Sequence, residues 1–155
     1  KWNGSNACLD SLVSAGSVSF HVGGVALRIR RGNLCLYLPR SWVRGAISMG
    51  EIQPLPLSDG YARGVVAYEG RLLPALDPAV FVGEGPEPGG RVGVLIGRAD
   101  RPPFAVLVSG DGGRYVSMPA SAGLRSTGGW FLPLRGCGAS CWWIEASRLE
   151  HELYG

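Results

Sequence analysis

Tyr61-Ala62-Arg63-Gly64-Val65-Val66-Ala67-Tyr68-Glu69-Gly70-Arg71-Leu72-Leu73-Pro74-Ala75-Leu76-Asp77 is the stretch whose reading decides the fold. Two apolar runs, Val65 to Tyr68 and Leu72 to Leu76, flank Glu69-Gly70-Arg71. Gly70 can take the positive φ that a tight hairpin requires, so the runs read as two antiparallel strands. Asp77 can then cap a helical turn with Pro78 at its first position and Gly83 just past its end.

The same alternation continues on both sides. Upstream, Val25, Leu27 and Ile29 alternate with Ala26, Arg28 and Arg30, Arg31-Gly32-Asn33 supplies a turn, and Leu34, Leu36 and Leu38 alternate with Cys35 and Tyr37. Downstream, strands are predicted at Val92 to Ile96, Phe104 to Val108, Tyr115 to Met118, Trp130 to Leu134 and Cys141 to Ile144. Turn signals separate them, among them Pro102-Pro103 and Gly110-Asp111-Gly112-Gly113. Helix is scarce. Ser147-Arg148-Leu149-Glu150 has capping-box spacing ahead of a terminal helix that puts Leu149 and Leu153 on one face, and Ser5 to Ala15 is a weaker candidate. Gly83 to Gly90, with Gly-Pro-Glu-Pro-Gly-Gly inside it, reads as a linker. The expectation is a mostly all-β fold of two small barrels.

Composition limits the function classes. Among 155 residues, 46% are hydrophobic, enough for a buried core, and the 25 Gly and 11 Pro fall between apolar runs as turn punctuation rather than as a low-complexity tract. The formal net charge of +3 is spread thinly, its tightest group being Arg28, Arg30 and Arg31, so neither nucleic acid nor a membrane surface is an expected partner. No apolar run approaches the ~18 residues of a membrane span, and no secretory leader opens the chain. The expected compartment is the cytoplasm. Lys1 in place of Met leads to the expectation that the chain is trimmed or excised from something longer. Cys8, Cys35, Cys137 and Cys141 are expected as free thiols there, with Cys137 and Cys141 flanking a glycine-containing turn. A zinc site at that pair would need further ligands, and the chain has only His21 and His151 to offer. No metal and no cofactor are expected.

Chemistry-bearing patterns are sparse. His21 alternates with Phe20 and Val22 as a strand residue, and His151 lies between Glu150 and Glu152 on the terminal helix, so both read as surface positions. No nucleophile elbow, phosphate-binding loop or zinc-protease pattern occurs. Asp77, Glu69 and Asp111 each have a cap or turn role, and none forms an evident acid–base pair, Glu145 included. No catalytic residue is assigned. Trp130, Trp142 and Trp143 are expected on adjacent C-terminal strands. Trp142 and Trp143 must point to opposite faces of their strand, so one of them serves a partner-binding or inter-barrel surface or lies under the terminal helix.

The central stretch resembles the signature of the CheW-like family: a Gly with two aliphatics, a turn, a strand ending Pro-aliphatic-aliphatic-Asp, and a short helix. Gly64, Gly70, Pro74 and Asp77 are kept. Val25 to Leu38, Val43 to Ile47 and Pro54-Leu55-Pro56 resemble the family's opening hairpin, the strand leading away from it and the loop before the signature. Arg91 to Ile96 and Phe104 to Val108 resemble the paired strands of its second half, and Cys141 to Leu149 its closing strand and helix. The likeness runs from Ser19 to Leu153, leaving 1–18 as an N-terminal extension and 19–155 as one domain of two barrel subdomains. Ala67 and Glu69 depart from the family's usual Asn and Arg, Pro78 from an aliphatic, and Ser109 from an Asp. The resemblance implies two intertwined five-stranded β-barrels. It also implies a non-enzymatic adaptor that couples the cytoplasmic tip of a chemoreceptor to the regulatory domain of a CheA-type histidine kinase, in chemotaxis or in type IV pilus signalling at receptor arrays. On the same ground Val43, Gly64, Ala67, Glu69 and Gly70 are the expected partner contacts. Two alternatives stay open: a regulatory domain cut from a larger histidine kinase, and a small-barrel ligand-binding protein or enzyme.

Overall fold

A computed structural model describes residues 18–49, 53–54, 64–79, 92–126 and 128–154. Their strands are β1 (Val18–His21), β2 (Val25–Arg31), β3 (Leu34–Pro39), β4 (Val43–Ser48), β5 (Gln53–Pro54), β6 (Gly64–Tyr68), β7 (Arg71–Leu76), β8 (Val92–Ile96), β9 (Phe104–Ser117), β10 (Gly123–Ser126), β11 (Phe131–Arg135) and β12 (Cys141–Ile144). A single 3-10 turn at Arg40–Trp42 and a terminal helix α1 (Ala146–Tyr154) complete the described elements. The mostly-β class is as expected. No helix of the described residues is long and apolar enough to cross a membrane. The Ser5 to Ala15 candidate helix, the 83–90 linker and the turn beyond Ala79 lie outside the described residues.

The strands hydrogen-bond in one path, β1-β10-β11-β12-β3-β2-β9-β7-β6-β5, with β8 branching from β9 and carrying β4. Most pairings are antiparallel, but β12 runs parallel to β3 and β7 parallel to β9. The sheet does not close into cylinders. Two β-rich halves are present, and β9 is common to both.

That sharing comes from a segment expected to be a turn. Gly110-Asp111-Gly112-Gly113 does not reverse the chain, and β9 runs through it as one strand of 14 residues. Phe104 to Val108 pair with β8, and Ala105 and Val106 also with β7. Arg114 to Ser117 pair with β2. Gly110, Gly112 and Gly113 have φ of 86°, 97° and 85°, so the glycines bend the strand from one half into the other instead of ending it. At Gly113 a Cβ would overlap the Arg28 carbonyl oxygen, which makes glycine obligatory there.

The core divides accordingly. Leu27, Ile29, Leu36 and Leu38 meet Leu76, Val94, Ile96, Phe104 and Leu149 between the halves. Val22, Tyr37, Leu124, Leu132 and Trp143 fill the first half, and Val66, Leu73, Leu95, Ala105 and Leu107 fill the second. Arg31 ends β2 as a buried residue rather than opening the turn, which is Gly32-Asn33 alone. Its guanidinium forks onto Asp77, Nε to Oδ1 at 2.7 Å and Nη2 to Oδ2 at 2.6 Å. Asp77 Oδ1 also accepts from the Ala79 N–H at 3.2 Å, the cap role expected of it.

The terminal helix docks through Leu149, fully buried, and Leu153, as expected. Its cap differs from the expectation. Helix α1 begins at Ala146, so Ser147 lies inside it and donates to Glu145 Oε2 at 2.7 Å, while the Leu149 N–H bonds the Glu145 carbonyl. Glu150 is thereby released from a capping box and lies buried, accepting from Arg98 Nη2 at 2.7 Å. Arg98 also covers the Trp42 ring, 5.3 Å from its centroid. Tyr154 donates its hydroxyl to the Pro103 carbonyl at 2.7 Å, and burial raises its pKa.

Candidate partner-binding surface

The β6–β7 register pairs Gly64 with Ala75, Val65 with Pro74, Val66 with Leu73, Ala67 with Leu72 and Tyr68 with Arg71. This leaves a two-residue loop, Glu69-Gly70, one residue shorter than the loop read from sequence. Both loop residues have positive φ, 48° and 75°, the type I′ turn whose twist matches a right-handed hairpin. Asn, Asp or Gly ordinarily occupy its first position, and here Glu69 does.

Strand alternation gives the hairpin two faces. Val66, Leu73 and Ala75 point into the second-half core. On the opposite face Ala67 is exposed, Leu72 is 70% exposed, and Val65 and Pro74 are half-buried. The outcome is an apolar strip ending at a turn whose two residues, Glu69 and Gly70, are exposed. Single exposed apolar residues are ordinary on protein surfaces, but here exposed Ala67 and Leu72 are cross-strand neighbours with half-buried Val65 and Pro74 beside them on the same face.

Of the five expected contact residues, the structure brings Ala67, Glu69 and Gly70 together at the hairpin end. Gly64 is buried at the other end of β6. Val43 stands on β4, with β8, β9 and β7 between it and β6 in the sheet, and packs against the shared core. Sequence reading missed Val65, Leu72 and Pro74. The signal was available, since both registers of the hairpin alternation are apolar.

The tryptophans divide between two sides of β12. Trp143 lies in the first-half core and Trp142 on the opposite side. There Trp142, half-buried, stacks on Phe131, centroids 4.6 Å apart and 6° between planes, and packs against the core between the halves. His151 is exposed, and His21 lies in β1. Cys137 and Cys141 flank the β11–β12 turn. Tyr115, on β9, is 51% exposed with the Arg40 guanidinium over its ring.

A depression of about 570 Å³ is lined by Arg28, Arg30, Ser109, Gly110, Gly113 and Arg114. Arg28 and Arg114 are direct cross-strand partners, and like charges so placed repel. Ser109 accepts from the Gly32 N–H at 3.1 Å. Guanidinium groups stay protonated, so this lining offers a positive field and no general base.

The sequence model of the CheW-like domain matches residues 25–115 of this chain, more than half of it. The chain belongs to the CheW-like domain family. The family match runs from β2 to β9, which takes in the hairpin and the strand that joins the halves. The crystal structure of the scaffolding protein TtCheW from Thermoanaerobacter tengcongensis is similar to this CheW-like chain, with a TM-score of 0.52 at 10% identity, over 66% of this chain and 68% of that one. That likeness concerns the fold. No curated protein matches.

Proposed function

We propose that this CheW-like protein is a non-enzymatic adaptor that holds a CheA-type histidine kinase, through its regulatory domain, at the cytoplasmic tip of a chemoreceptor, in chemotaxis or in type IV pilus signalling. The observation that carries the reading is the apolar strip Val65, Ala67, Leu72 and Pro74 on the outer face of β6–β7 in a chain of the CheW-like family. We assign that strip, with Glu69 and Gly70, to the kinase regulatory domain, because strand surfaces of two β-rich domains can pack face to face. TtCheW, named a scaffolding protein, supports a scaffold role for the fold.

Affinity for the kinase domain is expected in the micromolar range, roughly −8 kcal/mol. Complete burial of a Leu is worth about 1.5–3 kcal/mol, and 70% of Leu72 is available for burial. Leu72→Ser should therefore weaken the complex about tenfold while leaving the melting temperature of the free protein unchanged. Calorimetric titration of wild type and L72S against the regulatory domain of the kinase encoded beside it tests this. Wild-type binding that is indifferent to L72S removes the hairpin from the interface; no binding at tens of micromolar to that kinase or to the receptor tip removes the adaptor role.

A further inference from the structure

Cys35 and Cys141 stand directly opposite each other where β3 and β12 pair in parallel, and the Cys35 N–H donates to the Ser140 carbonyl at 3.0 Å. Neighbouring strands lie ~4.7–4.9 Å apart, inside the ~4.4–6.8 Å between Cα atoms that a disulfide spans. Both side chains lie on one face of the sheet, Cys141 within the first-half core and Cys35 packed against it.

The two sulfurs are unlike. Cys35 is half-buried, and its Sγ accepts from Arg28 Nε at 3.2 Å. Arg28 has no carboxylate partner among the described residues, so its full positive charge faces that sulfur. Cys141 is buried and donates its thiol to the carbonyls of Cys137 and Ala139 at 3.2 and 3.5 Å. Burial and the neighbouring Cys35 push its pKa up to about 11. One sulfur is thus accessible and faced by a cation, and the other is held protonated within reach. Cys137 lies in the turn and has no register partner on β3.

We propose that Cys35 and Cys141 form a dithiol–disulfide modification site for peroxides, with Cys35 attacking and Cys141 resolving. The Cys35 thiolate displaces one oxygen of hydrogen peroxide; the O–O bond breaks, the leaving hydroxide takes up a proton as water, and Cys35 becomes a sulfenic acid. Cys141 sulfur then attacks Cys35 sulfur and loses its proton, which leaves with the displaced hydroxide as a second water. Two thiols are oxidised by two electrons, and one peroxide is reduced to two waters.

The experiment is treatment of the reduced full chain with hydrogen peroxide, alkylation of remaining thiols, and intact-mass and peptide mass spectrometry. The expected product is a monomer lighter by two hydrogens, with the peptide 32–40 joined to 136–148, reversed by dithiothreitol. The join should persist in Cys137→Ser and vanish in Cys141→Ser and in Cys35→Ser. Arg28→Gln should slow loss of the free Cys35 thiol several-fold, whereas a bystander arginine would leave the rate unchanged. Should either substitution at 35 or 141 unfold the protein, the Cys137→Ser map still decides, because Cys141 is then the one thiol of peptide 136–148. A Cys35 that remains alkylatable after peroxide, or one joined to Cys8, to Cys137 or to a second chain, overturns the proposal.

Discussion

Replacing Asp77 by alanine tests what joins the two halves. The carboxylate is inaccessible to solvent, its side chain 0% exposed and that of Arg31 4%, and both oxygens accept from one guanidinium. Removing one partner of such a buried pair is strongly destabilising, at a cost of about 3–5 kcal/mol. Loss of the Ala79 N–H contact adds about 0.5–1 kcal/mol. The sum, about 4–6 kcal/mol, is comparable to the ~5–15 kcal/mol of a whole domain, so Asp77→Ala should lie close to unfolding at room temperature. Asp77→Asn keeps the shape and the Ala79 contact but loses the charge, and should fall short of the alanine variant by about the cap contribution. Arg31→Met combined with Asp77→Leu removes both charges and should recover to within about 2 kcal/mol of wild type. Urea titration followed by tryptophan fluorescence reads all four proteins, Trp143 being buried in the first-half core. An Asp77→Ala penalty below about 1 kcal/mol, or a double variant no more stable than Asp77→Ala, would refute the reasoning.

Three further outcomes rest on the backbone and thiol geometry. Gly113→Ala should cost about 3 kcal/mol or more, because φ of 85° is combined with an overlap on the Arg28 carbonyl; a thermal midpoint within a few degrees of wild type would show that β9 bends elsewhere. Glu69→Asn should stabilise by about 1 kcal/mol, since Asn accepts the left-handed conformation that Glu69 holds at φ 48°, and an unchanged urea midpoint would count against a type I′ turn. In reduced protein the Cys141 pKa is raised from 9.0 to about 11, so the folded state holds a proton that the unfolded chain releases first. Its stabilising contribution is complete below pH 9 and is lost as pH rises through 11, and Cys141→Ser should flatten that limb of the pH–stability curve.

Much of the fold was legible because its signals are local. Val65 to Leu76 declared a hairpin through alternation and one glycine, and Leu149 and Leu153 declared the docked face of the helix. What escaped sequence reading is non-local or depends on a competition. A run of four residues with three glycines is the strongest of turn signals, yet here the same left-handed freedom bends a strand, because Arg114 to Ser117 gain more by pairing with β2 than by turning back. The short strand Gly123–Ser126 has little apolar pattern of its own and exists because β1 and β11 hydrogen-bond it from both sides. Arg31 looked like a turn residue because its carboxylate lies 46 positions away, a separation no local pattern reports.

The candidate site was legible in the same uneven way. Ala67, Glu69 and Gly70 were named through resemblance to a signature, which marks a backbone shape, whereas Leu72 was passed over because an apolar residue in a strand is ordinarily assigned to the core. Register decides the question. With Ala67 opposite Leu72 and Val66 opposite Leu73, only one of the two pairs can face inward, and the buried one is the larger in total volume. The pair left outside is apolar without serving the core, so its surface stays in contact with water. Shifting the loop from three residues to two fixes this register, so the conformation of Glu69, strained as it is, decides which face of the hairpin is left outside.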